Sequence, residues 1–206
     1  RQMCIRDRVG VVVALAATVG GVLLGMLAGY FRRLDALIMR IMDGLMAIPG
    51  VLLAIALMAT LKGGLGTVIV AIVVPEIPRV VRLVRALVLT IREQPYIEAA
   101  VASGTRVPAI LLRHILPNLF APLMVQATFI AASAILTEAV LSFLGVGIPP
   151  HTPSWGNIMA EGRNFVAVAF HIILYPGLFL GVAVLAVNLV GDGLRDMLDP
   201  RLAKKI

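Results

Sequence analysis

The chain alternates between long uncharged runs and short stretches that concentrate its charge. Four runs contain no Asp, Glu, Lys or Arg: Val9–Phe31, Gly44–Leu61, His114–Thr137 and Asn164–Gly191. Each is close to or above the roughly 18–20 residues that a helix needs to cross a bilayer. Because backbone groups in lipid must find hydrogen-bond partners within their own segment, helices are the expected form. The pattern therefore predicts an all-α, polytopic membrane bundle.

A fifth uncharged run, Gly63–Pro75, is too short to cross a bilayer alone. It becomes a span if the helix continues through Glu76 to about Arg79, and the alternative is a re-entrant or interfacial segment. About five transmembrane helices are therefore predicted, over residues 9–31, 42–61, 63–81, 118–141 and 166–190.

Composition supports lipid as the surrounding medium. The 206-residue chain is 60% hydrophobic and 14% charged, with a mean hydropathy of +1.01, whereas soluble domains carry about 25% charged residues. The net charge of +7 also fits a nucleic-acid-binding protein. However, if the helices alternate in direction, most Lys and Arg residues fall on one side, which the positive-inside rule assigns to the cytoplasm. The charge therefore indicates topology, and no nucleic-acid partner is expected.

Residues 1–8 (RQMCIRDR) form an atypical N-terminal segment, with three Arg on the predicted outer side and no cleavable-signal pattern. The only cysteine, Cys4, excludes an internal disulfide or a cysteine metal cluster. The histidines His114, His151 and His171 fall in an inner loop, an outer loop and a span, without metal-binding spacing. No metal site is predicted.

Helix packing is indicated in the first span by Gly21, Gly25 and Gly29, which lie four residues apart. Small residues at this spacing let two helix backbones approach closely. The partner helix can belong to the same chain or to another. In the second span, Pro49-Gly50 predicts a kink.

Charged residues recur at every third position after the third apolar run, at Glu76, Arg79, Arg82 and Arg85. On a helix this spacing spreads them over about half the circumference, because each residue turns about 100°. A solvated extension that faces lipid headgroups is the favoured interpretation, and an anion site is the alternative.

A polar stretch, EAAVASGTRVPAILLRHILPN at residues 98–118, interrupts the apolar sequence on the inner side. Tyr96–Ser103 is typical of a short, Ala-rich helix that Gly104 ends with a positive φ. A second helix is predicted to begin with Thr105 as its cap and a proline in its first turn. A break at Pro117 then precedes the membrane. Two short helices around a glycine elbow are expected along the membrane surface.

The spacing in this stretch resembles the EAA loop of bacterial ABC importer permeases. Glu98-Ala99-Ala100, three residues, Gly104, nine residues and then His114-Ile115-Leu116-Pro117 follow the pattern of that loop. Over about residues 9–203 the chain is also similar to the C-type subunit of the dipeptide, oligopeptide and nickel branch. The stretches that carry this similarity are LAGYF (27–31), RHILPN (113–118), LTEAVLSFLGVG (136–147), PSWG (153–156) and NLVGDGLRDMLDPR (188–201). PEIPRVVR (75–82) departs from the Trp-Pro-x-Tyr-x-Arg type often seen in the family.

The resemblance implies a transport subunit without an ATPase or catalytic site of its own. It implies one transmembrane domain over residues 9–191, with the EAA loop at 92–117 and a cytoplasmic tail at 192–206. Full-length family members have six spans, so this chain is expected to be a fragment that lacks the first one. In the family the short helix of the loop docks on the ATPase and transmits ATP-driven closure. This implies a coupling role for Glu98, Ala99, Ala100, Gly104, His114, Leu116 and Pro117.

The resemblance also implies partners and a location. These are a homologous permease in a heterodimer, two ATP-binding subunits and an extracytoplasmic substrate-binding protein, in a bacterial or archaeal cell (inner) membrane. The chain has no G-x4-G-K-[ST] loop, so ATP and Mg are assigned to the partner and no cofactor is expected on this chain. Di- or oligopeptides are the expected substrates, and nickel or glutathione is the alternative.

Polar residues of the fourth span are candidates for a translocation path. An ionisable residue at membrane depth is a functional hypothesis by default, and Glu138 is one; a helix–helix hydrogen bond or an outer-interface position is its alternative. The full candidate set is Gln126, Thr128, Ser133, Thr137, Glu138 and Ser142. In the outer loop, Trp155 is expected to anchor at the interface or to contact the binding protein.

Two other classes of membrane protein are alternatives to a permease. An intramembrane hydrolase would need a nucleophile and a base at matched depth, for which Ser133 and His171 are conceivable, but no G-x-S-x-G elbow is present. A secondary transporter often shows inverted repeats with broken helices. No such repeat is visible in this sequence, and a secondary transporter does not need an EAA loop.

Overall fold

The computed structural model describes residues 2–61, 64–149 and 152–198 and is helical over most of these ranges. The α-helices are α1 (Gln2–Tyr30), α2 (Arg32–Met46), α3 (Gly50–Thr60), α4 (Leu65–Arg92), α5 (Pro95–Ala102), α6 (Val107–Ala109), α7 (Leu116–Phe143), α8 (Trp155–Gly162) and α9 (His171–Leu198). A π-helical segment, Ile110–Ile115, joins α6 to α7, and a short 3-10 turn, Arg163–Phe165, follows α8. The predicted all-α class is confirmed. Residue 1, Lys62, Gly63, Pro150, His151 and the tail from residue 199 onward lie outside the described residues.

Three helical stretches are long and apolar enough to cross a membrane: Arg8–Tyr30, Val107–Phe143 and His171–Met197. They correspond to the first, fourth and fifth predicted spans. The atypical N-terminal segment contributes the start of the first helix, since α1 begins at Gln2.

The second predicted span, over 42–61, is not one kinked helix. α2 and α3 meet at 90°, so together they form a broken span or a re-entrant loop. Pro49 is the cause, because it has no N–H to continue the helical ladder and it disfavours the helical conformation in Ile48 before it.

The third predicted span, over 63–81, corresponds to α4. This helix continues to Arg92, and its charged residues leave it less apolar than the three long stretches. The structure thus gives three apolar spans, or four with the bent pair, within the described residues.

α1 and α4 run parallel and pack closely along the glycine stripe. Each glycine faces a valine that is 0% exposed, in the pairs Gly21–Val80, Gly25–Val84 and Gly29–Val88. A Cβ atom on any of these glycines would lie 2.3–2.7 Å from the Cβ of its valine. The partner helix that the sequence left open therefore lies in the same chain.

The helix that enters the fourth span is continuous, so the predicted break at Pro117 is wrong. Pro117 lies in the first turn of α7, where its missing N–H costs little. The side-chain amide of Asn118 donates to the carbonyl of His114 at 2.6 Å. Thr105 is not the cap either: Arg106 precedes the helix and makes no side-chain cap bond.

Candidate functional site

The inner loop is built around a left-handed glycine. Gly104 has φ +76°, the positive value predicted for it. The Gly104 N–H donates to the Val101 carbonyl at 2.9 Å, and the Thr105 N–H donates to the Ala100 carbonyl at 3.1 Å. These two bonds form a Schellman motif, which satisfies the last carbonyls of α5. The elbow is therefore fixed by backbone bonds that need a residue with little penalty for positive φ.

α5 is held against the bundle on one face and presents the other to solvent. Ile97 is 2% exposed and belongs to the main hydrophobic core. Glu98 and Ala99 are exposed, and Val101 is 53% exposed. These exposed side chains are therefore accessible to a partner that docks on α5.

The remaining predicted coupling residues lie on both sides of the elbow. Ala100 is partly buried on α5, His114 and Leu116 are partly buried on the long helix, and Pro117 is exposed. Asn118 joins the two sides, since its side-chain amide also lies 3.4 Å from the Tyr96 hydroxyl. The loop and the start of the span thus form one connected unit.

The inner half of α4 is tied to α1 and α2 by its arginines. Arg82 Nη2 lies 2.6 Å from the Asp43 carboxylate, and Arg85 donates two bonds to Asp35. Nη1 of Arg92 donates to the Gly29 carbonyl at 3.2 Å, where the end of α1 favours positive charge. Arg82 and Arg85 thus pair with acids of α2. Arg82 remains 46% exposed, in agreement with the predicted solvated extension, whereas the Arg85 side chain is 31% exposed and held between the helices.

The Asp35 carboxylate is perturbed by this pairing. It lies outside the predicted membrane spans and is 22% exposed at its side chain. The hydrogen bonds from the Arg85 guanidinium, and the positive charge of Arg85, hold the pKa of Asp35 below its ordinary value. The ionised form is thus the one that the fold stabilises.

A cavity of about 360 Å³ lies where the start of α3 meets α4 and α7. Its polar wall contains Glu76, Arg79, Ser133 and Thr137. Glu76 is only 6% exposed. Its Oε1 accepts a bond from the Ser133 hydroxyl at 3.1 Å, and both its oxygens accept from Arg79 Nη1 at 3.2 Å.

Glu76 lies near the inner end of the third predicted span and is also the first of the four charged residues for which a solvated extension is predicted. The solvated extension is wrong for Glu76, because the structure buries it in a cavity between helices. A signal was available, because Glu76 interrupts an otherwise apolar run at membrane depth, where an ionisable side chain is expensive and usually functional.

The other candidates for the path lie away from this cavity. Glu138 is 1% exposed and accepts a bond from Ser142 Oγ at 2.8 Å. Thr128 packs against Gly191 of α9 and donates to the Val125 carbonyl at 2.7 Å. Gln126 is partly buried, seven residues before Ser133. Of the six candidates, the cavity brings together Ser133 and Thr137.

Trp155 begins α8 on the opposite side of the bundle from the loop. The Ser154 hydroxyl caps this helix by accepting a bond from the Asn157 N–H at 3.2 Å. The indole ring lies 6.1 Å from the ring of Phe179 on α9. Its partial burial is consistent with the interfacial position predicted for it.

A nucleophile and base pair is not assembled from Ser133 and His171. α7 and α9 are antiparallel, with Ile135 and Ala139 packed against Leu180. His171 lies nine residues before that contact, on the side away from Ser133. At 1.5 Å of rise per residue the two side chains are on the order of 20 Å apart along the helices. Within the described ranges no group of three or more His, Cys, Asp or Glu residues has a metal-binding arrangement.

A family model and several relatives of known name match this chain. Residues 21–204 match the family described as "Binding-protein-dependent transport system inner membrane component". A Sinorhizobium fredii protein named as a probable peptide ABC transporter permease is 58% identical over 86% of this chain and 61% of its own length. The di/tripeptide transport system permease of Pseudomonas aeruginosa is 43% identical over 94% of this chain and 64% of its own length.

A glutathione transport system permease of Pectobacterium atrosepticum is also 43% identical, over 94% of this chain and 64% of its own length. The chain therefore spans about 61–64% of the length of these relatives. A solved structure of the inward-facing MetNI methionine ABC transporter aligns with a TM-score of 0.75 at 18% identity, over 97% of this chain and 95% of that one. At that identity the likeness shows the fold.

Proposed function

The chain belongs to the family of binding-protein-dependent transport system inner membrane components, and from this membership we propose that it is the permease subunit of an ATP-driven peptide importer. The chain is a multi-pass membrane protein. The observation that carries the proposal is the inner loop, in which α5 is anchored on one face, exposed on the other and ended by a fixed elbow.

The loop is suited to transmit the movement of a soluble ATPase subunit to the membrane helices. Its exposed side chains are the Glu98 carboxylate, the small Ala99 and, near the end of the helix, Val101, so a groove can approach it closely. Ile97, on the side opposite Ala99, is packed in the core. A few anchors of this kind can carry most of the energy of an interface.

Motion of α5 would reach the membrane helices through short, stiff connections. α4 ends at Arg92, three residues before α5 begins at Pro95. Arg92 bonds to Gly29, and α4 is packed against α1 along the glycine stripe. Closure of an ATPase against α5 would therefore move α1 and α4 together, which suits alternating access by rigid-body rocking.

The proposed substrates are di- or oligopeptides, because the peptide and di/tripeptide permeases named above are 43–58% identical to this chain. Glutathione is a second candidate, favoured by the 43% identity to a glutathione permease. The proposed working unit contains a homologous permease, two ATPase subunits that hold ATP and Mg, and an extracytoplasmic binding protein. We assign it to the inner membrane of a bacterium.

The test is uptake by the full transporter in proteoliposomes, measured beside ATP hydrolysis. Glu98→Lys is expected to lower peptide uptake per ATP hydrolysed while the protein still inserts in the membrane. Glu161→Lys reverses the same charge on α8, at the other end of the bundle, and should leave the ratio unchanged. Unchanged coupling in Glu98→Lys would contradict the role of the loop, and an absence of peptide uptake by the wild-type complex would contradict the substrate.

A further inference from the structure

The cavity between α3, α4 and α7 contains a buried carboxylate that can accept a further hydrogen bond. Burying an ionised carboxylate is costly unless it is paired and hydrogen-bonded. Glu76 meets this condition with one bond from Ser133 and two from Arg79. A carboxylate has about four acceptor positions, so these three bonds leave one position for a donor from the cavity.

Arg79 supplies the opposite charge, and most of its N–H donors make no bond to Glu76. It contacts Glu76 through Nη1 alone, although a guanidinium carries five N–H donors in a planar fork. Its side chain is 55% exposed, so it can turn toward the cavity without unpacking the core. Such a fork suits two-point recognition of a carboxylate.

The N-terminus of α3 adds a partial positive charge to the same wall of the cavity. Gly50 and Val51 line the cavity, and they are the first two residues of α3. No side chain caps this helix at Pro49, so its first backbone N–H groups lack a side-chain acceptor. Helix N-termini attract negative charge, and broken membrane helices present such ends to anionic groups of transported substrates.

We propose that this cavity binds the zwitterionic backbone of a short peptide, with its ammonium on Glu76 and its carboxylate on Arg79 and the first turn of α3. The inference rests on the proposed function, because it names how an imported peptide is held within the membrane. The volume of about 360 Å³ is at the small end of ligand pockets. The apolar wall, which includes Leu45, Ile48 and Ile72, offers side chains a surface without a specific polar partner.

The test compares three probes in proteoliposomes that contain the complete transporter: L-alanyl-L-alanine, its N-acetyl derivative and its C-terminal amide. Glu76→Gln should lower uptake of the two probes with a free ammonium by about tenfold or more and leave the N-acetyl derivative unchanged. Arg79→Gln should lower uptake of the two probes with a free carboxylate and leave the amide unchanged. The same binding protein delivers each probe in every variant, so the ratio of variant to wild type reports on the permease.

Matched controls carry the same substitutions outside the cavity. Glu161→Gln and Arg163→Gln remove an exposed carboxylate and an exposed guanidinium near α8 and should change the uptake of none of the probes. The amount of assembled complex is matched between variants by quantitative immunoblotting.

A second measurement does not depend on delivery by the binding protein. In a Cys4→Ser background, Ser133→Cys places one thiol in the wall of the cavity, and its rate of modification by a charged thiol reagent is followed in the assembled complex. Alanyl-alanine should slow the modification, and the doubly blocked peptide (N-acetylated and amidated) should not. No protection by alanyl-alanine would overturn the proposed site.

The outcomes separate this inference from the proposed function. If the wild type takes up alanyl-alanine but Glu76→Gln and Arg79→Gln change all three probes equally, the site is wrong and the importer function stands. If the wild type takes up no peptide, the proposed function itself fails.

Discussion

Arg85 of α4 donates two hydrogen bonds to the carboxylate of Asp35 of α2, from Nε at 2.5 Å and from Nη2 at 2.6 Å. The two residues lie 50 positions apart in the sequence, so this pair fixes the position of α2 against the bundle. Their side chains are 31% and 22% exposed. A two-point, charge-assisted contact of this kind is worth more than an exposed ion pair.

Asp35→Asn is expected to destabilise the protein by about 1–2 kcal/mol, because it leaves the Arg85 guanidinium without its charged partner. The measurement is the thermal denaturation midpoint in detergent. Exchanging the charges, with Asp35→Arg and Arg85→Asp together, should recover part of the loss. Asp43→Asn provides the control, since the Arg82–Asp43 pair is 46% and 57% exposed and should contribute less than about 1 kcal/mol.

The Asp35 pair also predicts a direction of pH dependence. Its pKa is lowered in the folded protein from an ordinary value of 3.8. The contribution of a depressed carboxyl is fully present above its unfolded pKa and is lost as the pH falls through the folded pKa. The difference in midpoint between wild type and Asp35→Asn should therefore be constant from pH 5 to 8 and shrink below about pH 3.8. A difference that instead changes near neutral pH would point to another titrating group.

Gly25→Ala should weaken the contact between α1 and α4. Its new Cβ would lie 2.6 Å from the Cβ of Val84, and overpacking of this kind costs about 1–3 kcal/mol. Gly20→Ala is the matched control on the same helix, because its Cβ would meet Ile77 at an ordinary 3.5 Å. Of the two close Val84 atoms, Val84→Ala removes only Cγ1, at 2.8 Å from the new Cβ, and keeps the Cβ atom of this position. Combined with Gly25→Ala it should therefore relieve only a small part of the loss in thermal stability in detergent.

Gly104→Val should impair coupling without disturbing the core. A Cβ at Gly104 meets no atom within 4 Å, so the cost comes from the positive φ alone, about 1–2 kcal/mol for a residue with a side chain. Uptake per ATP hydrolysed is the measurement. Gly104→Asn should retain more activity, because Asn tolerates this conformation better. Gly44→Ala, also in open space but within a helix, should have no effect.

Asn118→Leu should loosen α5 from the start of the long helix. It removes the bond to the His114 carbonyl and the longer contact with the Tyr96 hydroxyl. Hydrogen exchange of residues 95–102 should become faster, while exchange in the middle of α7 should not change. Tyr96→Phe removes only the 3.4 Å contact and should have the smaller effect; equal effects from both variants would assign the constraint to Tyr96.

The features that could be predicted from sequence are those that nearby residues determine. Three of the four uncharged runs of sufficient length form apolar helices, since the bilayer sets their length, and the fourth, Gly44–Leu61, is broken at Pro49. The conformation of Gly104 followed from its position after a short helix. The Gly21 stripe predicted a close helix contact, although spacing alone could not identify Val80 as its partner.

The features that sequence reasoning missed depend on residues far apart in the chain. The pairing of Arg85 with Asp35 spans 50 residues, so the regular spacing of charges on α4 does not reveal which acid Arg85 contacts. The burial of Glu76 depends on Ser133, 57 residues away. The predicted break at Pro117 does not occur, because a proline is tolerated in the first turn of a helix, and periodicity does not reveal where that turn begins.

The π-helical segment Ile110–Ile115 sets a rotational offset within the long helix. A π-turn holds about one residue more than an α-turn, and each residue of an α-helix turns about 100°. The faces before and after the segment are therefore out of phase by about that angle, although the backbone does not break. Deleting one residue between 110 and 115 would bring both halves into one phase and swing the Gly104 elbow around the helix axis. The length of this segment thus determines the direction in which the inner loop faces.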